Sequence, residues 1–150
     1  MAESVNAEIR SVVAKRADHL CEYCLIAEED TFFGCHIDHI ISIKHHGETK
    51  VDNLAYACAF CNRFKGSDIA SLSSQTGGLV RFFNPRTDRW SDHFQLHGLS
   101  IEPRTEIGEV TLRILRFNAD ERVLERQELN RVGRYPSSAA LVRVEGFSRL

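Results

Sequence analysis

The stretch that decides the fold runs from Cys21 to Asn62: Cys21-Glu-Tyr-Cys24, then His36-Ile-Asp38-His39, then Cys58-Ala-Phe-Cys61-Asn62. Two cysteines three positions apart can chelate one ion only if the backbone turns sharply between them, so each Cys-x2-Cys pair predicts a knuckle. Four soft thiolates suit a closed tetrahedral zinc site, with Zn–S distances of roughly 2.3 Å. The gap of 33 residues between the pairs exceeds a zinc-ribbon spacing, so a folded unit must lie between the knuckles. A closed site of this kind is structural, and it would pin the two ends of the Asp38-His39 segment together. The competing reading is two unrelated pairs of buried cysteines.

Outward from that segment, the chain of 150 residues is long enough for one domain with a modest core. Apolar residues make up 43% and charged residues 27%, ordinary values for a globular chain. Met1 to Arg10 contains no apolar run of the secretory type, and no stretch is long enough to span a bilayer. The expected location is therefore the cytosol, a reducing compartment in which paired cysteines more often hold metal than each other. The net charge of -2 rules out a surface coated in positive charge. A nucleic-acid ligand would need a local basic surface. Lys44, Arg63 and Lys65 near the motif, with Arg81 and Arg86 beyond it, are the leading candidates; Lys50, Arg89, Arg104, Arg113 and Arg116 extend the set.

Helical spacing of Ile9, Val12, Val13, Ala17 and Leu20 predicts a helix over about 4–19, capped by Ser4 or Asn6. Residues 31–43 read as strand, 51–57 lead into the second knuckle, and a helix begins near Cys58 and stops at Gly66. The small polar run 67–78 predicts a loop, and 79–84 a short strand. Alternation around His97-Gly98 predicts a hairpin over 93–102. Residues 105–116 form an apolar-faced helix, and Asn118 to Glu121 resembles a capping box opening a last helix that ends near Gly133. From Pro136 onward the chain reads as a loosely held tail. The expected organisation is a single α+β domain: a core at about 15–67, an elaboration at about 79–135 and a tail at 136–150.

The segment between the knuckles carries groups with chemistry. His39 is a candidate general base, since an imidazole can take a proton from water at neutral pH. Asp38 and Asn62 offer hard oxygen ligands to a divalent ion such as Mg2+ or Mn2+, which would contact a phosphate oxygen and stabilise a departing 3′ oxygen. The Asn53 amide both donates and accepts, so it can tie a loop down. Strand alternation places residues 36 and 38 on one face and 37 and 39 on the other. His36 thus either joins Asp38 as a metal ligand or serves in packing or hydrogen bonding. Cys35 reads as a small buried hydrophobe, and Tyr23 and Phe60 as cover for the zinc. Trp90 either stacks on a base or anchors the core.

The run His36-Ile-Asp-His39-Ile-Ile-Ser, with His46-Gly47, Asp52-Asn53-Leu54 and Cys58-Ala-Phe-Cys61-Asn62-Arg-Phe-Lys65-Gly66, resembles the HNH endonucleases of the ββα-metal (His-Me finger) type. The resemblance covers roughly residues 15 to 67. It implies a ββα-metal core stapled by the four-cysteine zinc, preceded by an N-terminal helix and followed by a β-hairpin and two helices. It further implies that His39 activates water, that Asp38 and Asn62 bind the catalytic ion, and that Asn53 orients the site. Cleavage would leave 5′-phosphate and 3′-hydroxyl ends. Where many relatives have a proline after the strand and a Gly-Gly turn, this chain has Ser42 and His46-Gly47. Residues 83–94 and 121–127 are similar to the C-terminal extension of a bacterial HNH subgroup.

The leading expectation is a metal-dependent endonuclease acting on DNA, with RNA left open as a substrate and a homodimer suited to double-strand scission. The alternative is a non-catalytic zinc-dependent nucleic-acid-binding module. A purely structural zinc domain would explain only the cysteines.

Overall fold

The computed structural model describes residues 5–146. Helix α1 (Ala7–Arg16) starts where the Asn6 side chain accepts a hydrogen bond from the Ile9 amide. The other proposed cap, Ser4, lies outside the described residues. Val13, Ala14 and Ala17 turn into the core, while Val12 faces outward at 46% exposure. The first knuckle follows, and the Leu25 amide closes it onto the Cys21 carbonyl.

Strands β1 (Cys35–His39) and β2 (Leu54–Cys58) form an antiparallel ribbon that pairs Cys35 with Cys58, Asp38 with Ala55 and His39 with Leu54. Only this part of the expected 31–43 strand pairs, because a single-turn helix at Glu28–Asp30 precedes it and another at Ile43–His45 follows it. Every residue of β2 is buried. Helix α2 (Ala59–Lys65) begins directly at the second knuckle, with the Cys58 sulfur accepting from the Cys61 amide as its cap. The ribbon and α2 make the expected ββα unit, so the chain is α+β.

The elaboration holds more structure than the sequence suggested. The stretch 67–78 is not wholly loop: β3 (Ala70–Leu72) lies inside it and pairs with β4 (Leu79–Arg81). A one-turn helix α3 (Trp90–His93) opens the expected hairpin of β5 (Phe94–His97) and β6 (Ser100–Pro103). Helix α4 (Glu106–Ile114) is capped by Thr105, whose hydroxyl accepts from the Gly108 amide. Helix α5 (Asp120–Arg131) has no side-chain cap; the expected box fails because Asn118 instead brackets Ile101 through its amide and carbonyl. The expected loose tail is also corrected. Helix α6 (Ser138–Glu145) packs on α3, is capped by Ser137, and buries Ala140; Tyr135, just before it, is buried as well. Three longer helices therefore follow the hairpin, not two.

Helix α5 reads as polar all round, yet it is buried along one stripe. That stripe consists of Arg122 and Arg126, four residues apart on the same face, each 1% exposed. Arg126 donates to the carbonyls of Leu99 and Phe117 and to the Asn118 side chain. It thereby satisfies acceptors at a chain crossing that an apolar residue would leave unpaired. No helix among the described residues is long and apolar enough to cross a membrane.

The loop between β1 and β2 closes on Gly47. A Cβ there would lie 1.6 Å from the Ile41 carbonyl oxygen, so no side chain fits without moving backbone. The preceding His46 takes the left-handed conformation, with φ of 68°, that a glycine would adopt more readily. Gly47→Ala is therefore expected to destabilise the domain by about 1–3 kcal/mol or more, the usual scale for overpacking. A lowered midpoint in thermal unfolding would register this; an unchanged midpoint would show that the loop is not held as described.

Candidate functional site

The four cysteines predicted as ligands converge. Cys21, Cys24, Cys58 and Cys61 are buried, and their sulfurs all lie within 4.8 Å of one another. The Cys24 and Cys58 sulfurs are 3.7 Å apart. A tetrahedron with Zn–S bonds of roughly 2.3 Å has sulfur–sulfur edges of about 3.8 Å, so the cluster has the right size for zinc. Backbone geometry supports this: the Cys24 amide points at the Cys21 sulfur and the Cys61 amide at the Cys58 sulfur, each at 3.5 Å. Hydrogen bonding from the other three cysteines, aided by the charge of Arg122, pulls the Cys24 thiol well below its ordinary pKa. At Cys24 that favours the thiolate a metal needs, whereas burial pushes the Cys21 and Cys61 thiols up.

Sequence reasoning missed the fifth member of this centre. Arg122 reaches in from α5 and donates to the Cys24 sulfur at 3.1 Å and the Cys58 sulfur at 3.5 Å. Its guanidinium lies over the Phe60 ring, 5.0 Å from the centroid. Four thiolates and one Zn2+ sum to a charge of -2, and a buried charge is costly unless it is paired. Arg122 supplies the pairing. Tyr135 adds a second tie, its hydroxyl donating to the Cys24 carbonyl.

Asp38 and His39 sit side by side on β1 but face different surroundings. Asp38 is 3% exposed; its Oδ2 accepts from the Tyr23 hydroxyl at 2.8 Å and its Oδ1 from the Lys65 ammonium at 3.2 Å. Burial raises the Asp38 pKa above the usual carboxylate range, and Lys65 and Tyr23 pull against that. Lys65 also donates to the His39 carbonyl at 3.0 Å, locking α2 to β1. Tyr23 is therefore a partner of Asp38 as well as a core ring beside Phe83. The His39 ring is half-buried, and its Nε2 shares a hydrogen bond with the Thr49 hydroxyl at 2.9 Å. Among the described residues, nothing is hydrogen-bonded to its Nδ1.

Asn53 is a staple. Its side chain accepts from the Ile41 amide and donates to the carbonyls of Ile41 and Glu48, each at 2.9 Å, so the loop bearing Thr49 is held at both ends. Asn62 stands half-buried on α2, and none of the described residues hydrogen-bonds its side chain. As a hard oxygen donor Asn62 fits a divalent ion. Asp38 fits by chemistry, but an ion must share the carboxylate with Tyr23 and Lys65 through its remaining lone pairs. His36 is exposed on β1 and makes no three-ligand cluster with Asp38; among the described residues the cysteines alone form such a group of His, Cys, Asp or Glu.

The basic candidates divide sharply. Lys44 and Arg63 are exposed. Lys65, placed among the phosphate contacts by sequence, is 1% exposed and belongs to Asp38 instead. Arg86 is also withdrawn: it pairs with the buried Glu22 and donates to the Leu54 carbonyl at 3.0 Å, clamping the elaboration onto β2. Arg81 is half-exposed but held by both oxygens of Asp88. Trp90 is buried, its indole donating to the Tyr23 carbonyl at 2.8 Å, so it anchors the core. Cys35 is buried at the start of β1.

Arg122→Met keeps the bulk but removes the charge and the contacts to the Cys24, Cys58 and Cys61 sulfurs. With hydrogen bonds to charged groups worth about 1.5–3 kcal/mol, the variant should release zinc to a chromogenic chelator at least ten times faster than the parent chain. Equal release rates would remove Arg122 from the centre.

Residues 21–68 match the family model described as HNH endonuclease. Neither the curated proteins nor the solved structures compared with the chain gave a match. The matched stretch begins at the first zinc cysteine and ends just past α2, so it covers the knuckles, the β1–β2 ribbon, the stapled loop and the Asn62 helix. This segment, roughly a third of the chain, is similar to the HNH endonuclease family and contains four cysteines placed to hold a metal ion.

Proposed function

We propose that the chain is a metal-dependent HNH endonuclease that hydrolyses DNA phosphodiester bonds. The observation that carries this reading is the state of His39. Thr49 engages Nε2, and an Nε2–H donated to that hydroxyl leaves the lone pair on Nδ1, where no described residue competes for it. An imidazole so oriented is equipped to accept a proton from an attacking water. The Asn53 staple and the Lys65 bond to the His39 carbonyl fix the base from both sides. Asn62, with Asp38, would hold a divalent Mg2+ or Mn2+. When bound, that ion supplies charge stabilisation for the departing 3′ oxygen, so that 5′-phosphate and 3′-hydroxyl ends result. The zinc centre keeps α2 and β1 in register and takes no part in the chemistry. A homodimer would give duplex DNA two such sites.

The buried Lys65–Asp38 pair favours a second reading, a non-catalytic zinc-dependent nucleic-acid-binding module, in which Lys65 permanently takes the place of an ion. Nicking of supercoiled plasmid separates the two. In the presence of Mg2+ or Mn2+ the parent chain should nick, and omission of both ions should stop it. His39→Ala should lower the rate by about 10²–10⁴-fold, the scale of a lost general base, with zinc content and folding unchanged. Thr49→Val should leave binding intact and lower the turnover rate by roughly tenfold or more, since an unanchored imidazole loses orientation. No nicking by the parent chain with either ion would favour the binding module, and full activity in His39→Ala would take that residue out of the mechanism.

A further inference from the structure

Arg63 and Arg116 both hold a guanidinium over one ring. Phe64, on α2, has the Arg116 guanidinium 4.7 Å from its centroid and that of Arg63 at 5.7 Å. Both arginines are exposed, and among the described residues neither guanidinium has a carboxylate or other hydrogen-bond partner. Most other arginines here are engaged: Arg81, Arg86, Arg113, Arg131, Arg134 and Arg143 all form ion pairs.

The backbone at Arg116 adds a second observation. Helix α4 ends with the Phe117 amide donating to the Leu112 carbonyl and the Arg116 amide to that of Arg113, which makes Arg116 the residue that must turn left-handed, with φ of 55°. Glycine is the usual occupant there, and α5 ends in the same pattern with Gly133 in that place. Helix α1 instead has Asp18, whose side chain has work to do, pairing with Arg143. Arg116 uses its own to set a second positive charge beside Arg63, within one turn of Asn62.

We propose that Arg63 and Arg116, both over the Phe64 ring, form the surface that grips the DNA backbone at its phosphates beside the cleavage site. The elaboration thereby contributes directly to substrate binding. The proposal rests on the nuclease reading and deepens it. Aromatic stacking holds each guanidinium plane in place while its N–H edge stays open to a phosphate oxygen, a job lysine does less well. It also resolves how a chain of net charge -2 binds a polyanion, by concentrating unpaired cations on one face.

The test is fluorescence anisotropy of a labelled duplex with the zinc-loaded full chain, without Mg2+ or Mn2+, across a salt series. Each phosphate contact contributes about 0.9 to the slope of log K against log salt. Arg116→Gly should reduce the slope magnitude by about one, and Arg63→Ala with Arg116→Gly by about two. Arg116→Lys should retain most of the slope, and the exposed control Arg131→Ala should leave it unchanged. Arg116→Gly also relieves the left-handed backbone, so its thermal midpoint should hold or rise, which excludes unfolding as the cause of weaker binding. An unchanged slope in Arg116→Gly, while the parent chain still nicks plasmid, overturns this surface alone. A parent chain that neither binds duplex nor nicks overturns both readings.

Discussion

A cluster of thiolates in a dry interior must be neutralised, and the rest of this structure depends on how that is done. A zinc ion on the four cysteines would join residues 21–24 to 58–61 yet leave excess negative charge where solvent cannot screen it. The compensating cation comes from Arg122, about 60 residues beyond the last ligand, so the metal centre recruits the C-terminal half as a matter of electrostatics. Once α5 is drawn in, Arg126 binds the carbonyls around Leu99 and Phe117, Tyr135 reaches the first knuckle, and α6 packs back towards α1 through Arg143. The elaboration is thus the outer shell of the zinc centre.

The same logic of polar fixation runs through the site. Lys65 is fully buried, and each contact it makes serves β1: one to the Asp38 carboxylate, one to the His39 carbonyl. Breaking such a pair by removing one partner leaves the other charge stranded, which is why buried pairs hold geometry firmly even when they add little net stability. Asn53 acts on the opposite side with three neutral hydrogen bonds to the loop. His39, the proposed base, is therefore held by rigid neighbours on both sides, the condition that preorganised chemistry requires.

The knuckles, the β1–β2 ribbon, α2 and the α4 helix were legible because each leaves a local mark: ligand spacing, alternation, a 3.6-residue period. The direction of the cations left none. Lys65 and Arg86 are chemically indistinguishable in sequence from Lys44 and Arg63, yet the first two turn inward because buried carboxylates, Asp38 and Glu22, await them from distant segments. Helix α5 hid its buried face for the same reason, since a stripe of arginines carries no apolar period. The alternation argument for His36 and Asp38 also proved too local: Asp38 is enclosed by Tyr23 and α2, whereas His36 faces solvent. Helix α6 did leave a mark, the Ser137 cap and Gly146 at its end, which the expectation of a loose tail overlooked.

The 61 positions between Cys61 and Arg122 also order events in time. A ribosome adding ~5–20 residues per second leaves an interval on the order of several seconds between emergence of the last sulfur and of its guanidinium partner. During that interval the nascent chain can collect its ion but cannot wall it off. Enclosure of such a centre would then come late in synthesis, completed from the C-terminal side by Arg122.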